Sequence, residues 1–242
     1  MIDPKNSDGS RRAARAPRPR ALASAGDYVA DRVRADILRG RFPLGSRLDQ
    51  QVLAEEMGVS TIPVREALQR LAAEGLIQLN PRRGAFVASV SDDEMTEIIR
   101  IRRPLEEQAT RLAAPHLDRQ RLVELKGLNK KMSDLADDPG EAAWSDLNRQ
   151  WHFALYEASN SPILVQLISI LWDRYTLYRL VNASGRQRRI GSVHEHAAVL
   201  RQLETGNAAA AARAIKNHID HGATYVRQTI KDRAGRSSRD VI

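Results

Sequence analysis

The sequence predicts a mainly α-helical chain in two parts: a small helical head carrying a two-stranded β ribbon, then an all-α bundle. Three observations lead there. Apolar residues return at helical spacing along most of the chain, and few segments alternate at period two. Between Asp49 and Leu79 lie two short helices, a tight turn and the start of a strand. Beyond Ser91 every segment reads as helix.

Composition sets the frame. With 242 residues, one large or two modest domains are expected, and 42% hydrophobic content suffices for a packed core. The formal charge of +8 favours a polyanionic partner without requiring one. Cysteine is absent, which excludes disulfides and thiolate metal sites and suits a reducing, cytoplasmic setting. The longest apolar run, ILVQLISILW, is interrupted by Gln166 and Ser169 and is too short to cross a bilayer, so no membrane association is expected. The arginine-rich start has no continuous apolar segment of the secretory kind.

Residues 1–24 carry Pro, Gly, Ser and Arg with almost no apolar content, and read as a disordered basic tail. Its arginines, Arg11 to Arg20, either track DNA phosphates or only keep the tail solvated, and the sequence favours the two readings equally. Val29, Val33 and Ile37 recur every four residues and give an amphipathic helix from Gly26 to Leu38, ended by Gly40. Asp49 is the N-cap of the next helix, with Leu48 and Leu53 placed as a hydrophobic staple. Gly58 supplies the left-handed residue that ends it. Ser60 then stands as N-cap of a helix whose first turn tolerates Pro63. Val64, Leu68 and Leu71 form the buried stripe of that helix, while Thr61, Arg65 and Gln69 stack along its other face. A capped helix with a buried back and a hydrogen-bonding front, held to a partner helix by a short turn, is the kind that enters a DNA major groove. Ile77 and Leu79, then Ala85 and Val87, alternate on either side of Asn80-Pro81-Arg82-Arg83-Gly84. This is a two-stranded wing with a basic tip, where Gly84 permits close approach to a sugar–phosphate backbone.

Ser91-Asp92-Asp93-Glu94 is a capping signature opening a long helix to about Ala114, with Pro104 as an expected kink. Further helices are expected over Arg119–Leu135, Glu141–Ala158, from Pro162, over Gly191–Glu204, and from about Ala208 to Lys231. A loop rich in Gly and Arg near Gly185 precedes the Gly191–Glu204 helix, and the last ten residues, 233–242, read as a frayed tail. Three of the six histidines, His152, His196 and His218, fall on the apolar faces of three different helices. A core histidine is usually just hydrogen-bonded. Three converging from separate helices would crowd positive charge, which a divalent metal relieves.

Segments in both halves of the chain also carry a family resemblance. LAEEMGVSTIPVREALQRLAAEGLIQ followed by PRRGAFV resembles the winged helix-turn-helix of GntR-type transcriptional regulators. RRPLEEQATRLAA, NRQWHFALYEASNSPIL and SVHEHAAVLRQLETGNAAAAARAIKNHI resemble the FCD effector-binding domain of the FadR subfamily. Together they span about residues 25–231 and imply a DNA-binding head over 25–90 and an FCD effector-binding and dimerisation domain over 91–232. The resemblance implies base or backbone contacts from Ser60, Thr61, Ile62, Arg65, Gln69, Gln51, Arg82, Arg83 and Gly84. Thr61, Ile62 and Gln51 stand where members often have Arg, Thr and Arg, which leaves Arg65 as the charged group of the reading face.

For the second domain it implies a divalent metal, Zn, Ni or Mn, held by Asn148, His152, His196 and His218. Asn148 departs from the family's usual carboxylate there: an amide oxygen can ligate but brings no charge. Arg102 and Ser192 are the implied effector contacts, set against an intrahelical pair with Glu106 and a capping role respectively. The expected protein is a homodimeric regulator that binds an inverted-repeat operator and answers to a small organic acid. The alternatives are an architectural DNA-binding protein whose bundle only dimerises, and a metallohydrolase. The last lacks an HExxH motif or any paired-carboxylate or Ser/His/Asp arrangement.

Overall fold

A computed structural model describes residues 24–138, 141–181 and 185–237. Apart from Ser24, the basic tail lies outside the described residues, as do residues 238–242. The head comprises α1 (Ala25–Leu38), β1 (Arg47–Leu48), α2 (Gln50–Met57), α3 (Thr61–Ala73), β2 (Ile77–Asn80) and β3 (Gly84–Val87). Helix α1 begins on Ser24, whose hydroxyl accepts from Asp27 N–H while the Asp27 carboxylate accepts from Ser24 N–H. Asp49 caps α2 by accepting from the N–H groups of Gln51 and Val52, and Gly58 ends it at φ 65°. Ser60 has the extended backbone of an N-cap to α3 but makes no side-chain capping bond, contrary to the reading of its hydroxyl.

The wing has one more strand than expected. Arg47–Leu48 pairs with Phe86–Ala85, so the antiparallel sheet runs β1-β3-β2. Leu48, expected only as a staple, therefore also anchors the wing to the helices, and it is buried with Leu53, Val64, Leu68 and Leu71.

The second domain contains α4 (Asp92–Ala113), α5 (Arg119–Asp134), α6 (Glu141–Glu157), α7 (Pro162–Val181), α8 (Arg186–Glu204) and α9 (Ala208–Ser237). Helix α4 continues through Pro104. Helix α8 starts on Gly185, more than a turn before the expected Gly191, because the arginine-rich stretch is helical rather than loop. Helix α9 runs to Ser237, past the expected end at Lys231 and into the segment read as frayed. The core gathers Met95, Ile99, Trp151, Leu155, Tyr156, Val199 and Ile215 from four helices. One residue crosses over: Leu177 of α7 is buried in the core of the head, so the two parts share an apolar contact. Among the described residues no helix is long and apolar enough to cross a membrane.

Candidate functional site

The predicted reading face of α3 is open. Ser60, Thr61, Ile62, Arg65 and Gln69 are all exposed, with Ile62 at 68%, while Val64, Ala67, Leu68 and Leu71 are buried behind them. Arg65 makes no ion pair among the described residues, so its guanidinium is available to a base edge. Its neighbour Arg70 is instead tied to Asp27 at 2.5 Å. Gln51 is exposed in the first turn of α2. At the wing tip Arg82 holds a left-handed backbone at φ 65°, and Gly84 sits at φ 100°, where a side chain is strained whatever the space. Arg82, Arg83 and Gly84 thus form an exposed or half-exposed basic turn beside the open helix.

The three histidines do converge, as their spacing suggested. His152 on α6, His196 on α8 and His218 on α9 are buried, and one ring nitrogen of each lies within 4.8 Å of the others. His152 Nε2 is 3.2 Å from His218 Nε2 and 3.2 Å from His196 Nε2. Partners on the far side of the rings decide the tautomers. The Tyr156 hydroxyl donates to Glu106 Oε2 at 2.5 Å, so it can only accept, at 3.0 Å, from Nδ1–H of His152. Glu195 Oε2 lies 2.7 Å from His218 Nδ1 and likewise holds the proton there. Two Nε2 lone pairs therefore face each other at 3.2 Å without a proton between them. His196 stacks on Trp151 at 3.9 Å and 10°, which fixes its ring plane.

Burial pushes all three imidazoles below their usual range. The neighbouring histidines depress His152 and His196 further, and for His218 the Glu195 carboxylate works the other way. They are neutral near pH 7, the form that ligates a metal. Glu195 is itself held down to about 2: burial raises it, but hydrogen bonds from His218 and Arg188 outweigh that.

Beside His218 is a small cavity of about 50 Å³, also bordered by Arg102, Asn148, Trp172, Arg188 and Ser192 among others. Asn148 is 5% exposed, and its Oδ1 is buried without a hydrogen-bond partner, an uncommon and costly condition for an amide oxygen. Arg102 makes the intrahelical pair and also stands on the cavity wall. Its Nε donates to Glu106 at 2.6 Å, yet its guanidinium also lies over the Trp172 and Tyr175 rings at 4.7 and 4.8 Å and borders the cavity. Ser192 borders the cavity too, and the capping alternative falls because α8 begins at Arg186. His194 is exposed and stays outside the cluster. His221 meets Glu195 at 2.8 Å rather than the other rings.

Residues 26–87 match the family of bacterial regulatory proteins, gntR family, and residues 97–221 match the FCD domain. The chain belongs to the GntR family of transcriptional regulators carrying an FCD domain. It is thus a DNA-binding regulator and not an enzyme. The Escherichia coli regulator McbR is 34% identical over 160 residues, covering 64% of this chain and 72% of its own. An uncharacterised Paraburkholderia xenovorans regulator, BphR, is 32% identical over 81% of this chain and 83% of its own. The solved structure of E. coli McbR/YncC superposes with a TM-score of 0.79 at 27% identity, over 86% of this chain and all of that one. In this GntR regulator sequence reasoning missed Arg188, which borders the cavity, and Glu195, which meets His218, and it read Glu106 only as a partner of Arg102. Charged residues at helical spacing look the same on a solvated face, and only Glu106, four residues after Arg102, carried a signal.

Proposed function

We propose that this GntR regulator is of the FadR subfamily and acts as a homodimer. Its affinity for an inverted-repeat operator is set by a small organic acid bound over a divalent metal in the helical domain. The observation that carries the reading is the pair of Nε2 lone pairs, turned toward each other by Tyr156 and Glu195 at 3.2 Å. That spacing is close to the ~3.3 Å between two imidazole nitrogens on a tetrahedral cation. Asn148 Oδ1, buried and unpartnered, is the fourth donor. His152, His196, His218 and Asn148 hold the ion, which supplies a fixed positive charge for an anionic ligand. Three imidazoles and an amide suit zinc, nickel or manganese. Because none of these donors is charged, the metal's double charge is left for the effector to neutralise.

Arg102 and Ser192 contact that effector from the cavity wall, and the cavity's modest volume of about 50 Å³ favours a compact acid. A two-fold dimer presents two α3 helices to successive major grooves. A probable repressor of a D-xylose utilization operon in Paenarthrobacter nicotinovorans, 27% identical over 86% of this chain, makes repression the natural mode. By linkage, the acid and the operator change each other's affinity by the same factor.

The test is elemental analysis of protein purified without an affinity tag, then a thermal-shift screen of small organic acids with and without chelator. A substoichiometric trace of every divalent ion after metal supplementation overturns the metal. A metal-loaded protein that no acid stabilises overturns the effector.

A further inference from the structure

Helices α6 and α7 each present two consecutive residues to two different places. On α6, Asn148 borders the sensor cavity while Arg149 reaches the interdomain side. On α7, Trp172 packs 4.6 Å from the His152 ring and under Arg102, while the next residue, Asp173, points to the head. Asp173 is 3% exposed and stands between two arginines from opposite domains. Its Oδ1 is 2.8 Å from Arg149 Nη1, and its Oδ2 is 3.4 Å from Arg34 Nε on α1. Arg34 is in turn bound to Glu74, at the C-terminal end of the DNA-reading helix α3.

We propose that Arg34, Asp173 and Arg149 form an interdomain clamp that orients the DNA-binding head and passes the state of the sensor site to it. This inference rests on the sensor site just proposed. The physical case is proximity and stiffness. Any shift of Trp172 that answers occupancy of the cavity moves Asp173 with it, since one backbone carries both. Asp173 then pulls on Arg34, and Arg34 holds the end of α3. Leu177, one turn on and buried in the head core, serves as the apolar pivot, because its packing fixes position without fixing angle. The two contacts are ionic rather than hydrogen-bonded, since Asp173 Oδ1 and Arg149 Nη1 are buried without a hydrogen-bond partner, and drawing the carboxylate away from either arginine leaves buried charge uncompensated. A second polar link between the head and the sensor domain, Arg39 just after α1 to Asp146 on α6, has the same 3.4 Å separation but is exposed on both sides, so solvent screens it.

The cysteine-free chain takes two spin labels cleanly, one at Glu55→Cys on α2 and one at Glu124→Cys on α5, both exposed sites. Double electron–electron resonance on labelled protein diluted with unlabelled protein then reads the head-to-sensor distance, without and with zinc chloride. Wild type is expected to give a narrow distribution that shifts with zinc. Asp173→Asn and Arg34→Gln, which break the clamp from its two sides, should both broaden it and abolish the shift. Arg39→Gln should behave as wild type.

Wild-type distributions in both clamp variants overturn the proposal, as does an equal effect of Arg39→Gln. A wild-type distance unmoved by zinc, in protein shown to hold zinc, overturns the transmitting role. Wild-type protein that binds no zinc counts against the metal reading alone, and the zinc-free comparison of variants still decides the clamp.

Discussion

The hydroxyl of Tyr156 lies 3.0 Å from Nδ1 of His152, one helical turn earlier, and itself donates to the fully buried Glu106. A residue that periodicity marks only as apolar thus sets which nitrogen of His152 is free. Tyr156→Phe removes the acceptor, lets the ring exchange tautomers and leaves Glu106 short of a donor. Metal affinity is expected to fall about 10–100-fold, with the ligands untouched. Competition against a chromogenic chelator measures it, and unchanged affinity would remove the tyrosine from this role.

Asn148→Asp restores a carboxylate at the orphaned amide. The metal should bind more tightly, since the new charge offsets part of its own, while an anionic effector should bind more weakly in the same reduced field. Titration calorimetry of zinc, then of the best acid from the screen, gives both signs. Parallel changes in the two affinities would contradict the placement of Asn148 in the site.

His196→Ala removes a donor and its stack on Trp151. The variant is expected to lose the metal, melt at lower temperature and lose its effector response, yet keep a folded head, because the head has a hydrophobic core of its own. Elemental analysis and operator binding on one preparation separate these outcomes. Full metal content would show that the remaining donors suffice.

Arg65→Ala tests the reading face. It should cost about 1–3 kcal/mol at the operator and relax preference at one base pair per half-site. Neutralising Arg82 and Arg83 together should act differently, weakening all sequences alike and flattening the slope of log K against log salt. Binding to a set of operator variants at several salt concentrations reads both, and a base-selective effect at the wing would reverse the assignment.

Asp173 gives the pH dependence. Burial raises its carboxyl to about 6, with Arg149 and Arg34 pulling the other way and Glu74 adding slightly to the rise. Between about pH 4 and 6 the folded state keeps a proton that the unfolded chain, with an ordinary aspartate, has lost. This group's contribution to stability therefore falls as pH rises through that window and is level above it. Denaturant titrations across the window should show a smaller downward contribution in Asp173→Asn than in wild type. Identical pH profiles would place the Asp173 pKa in the ordinary range.

Local chemistry was legible without coordinates wherever one segment decides its own conformation. The Asp49 cap, the left-handed Gly58 and the buried stripe of Val64, Leu68 and Leu71 each depend on residues within two turns of one another. The helical phase of His152, His196 and His218 was enough to aim all three inward, because each shares a face with apolar neighbours that must be buried. The start of α8 was misplaced for the converse reason: an arginine-rich stretch has no apolar period to show, yet Arg189 is buried and donates to the Ala136 carbonyl across 53 positions. Strand β1 was missed because two residues have no period at all, and pairing with β3 alone defines it.

What only the tertiary structure decided are the relationships between helices distant in sequence: Tyr156 reaching back 50 positions to Glu106, Glu195 reaching His218, and Asp173 lying between Arg34 and Arg149. Hydrophobic burial follows from a pattern along one helix, so the sequence by itself determines which faces turn inward. Which polar groups then meet depends on how the helices cross, and that is a property of the packed whole.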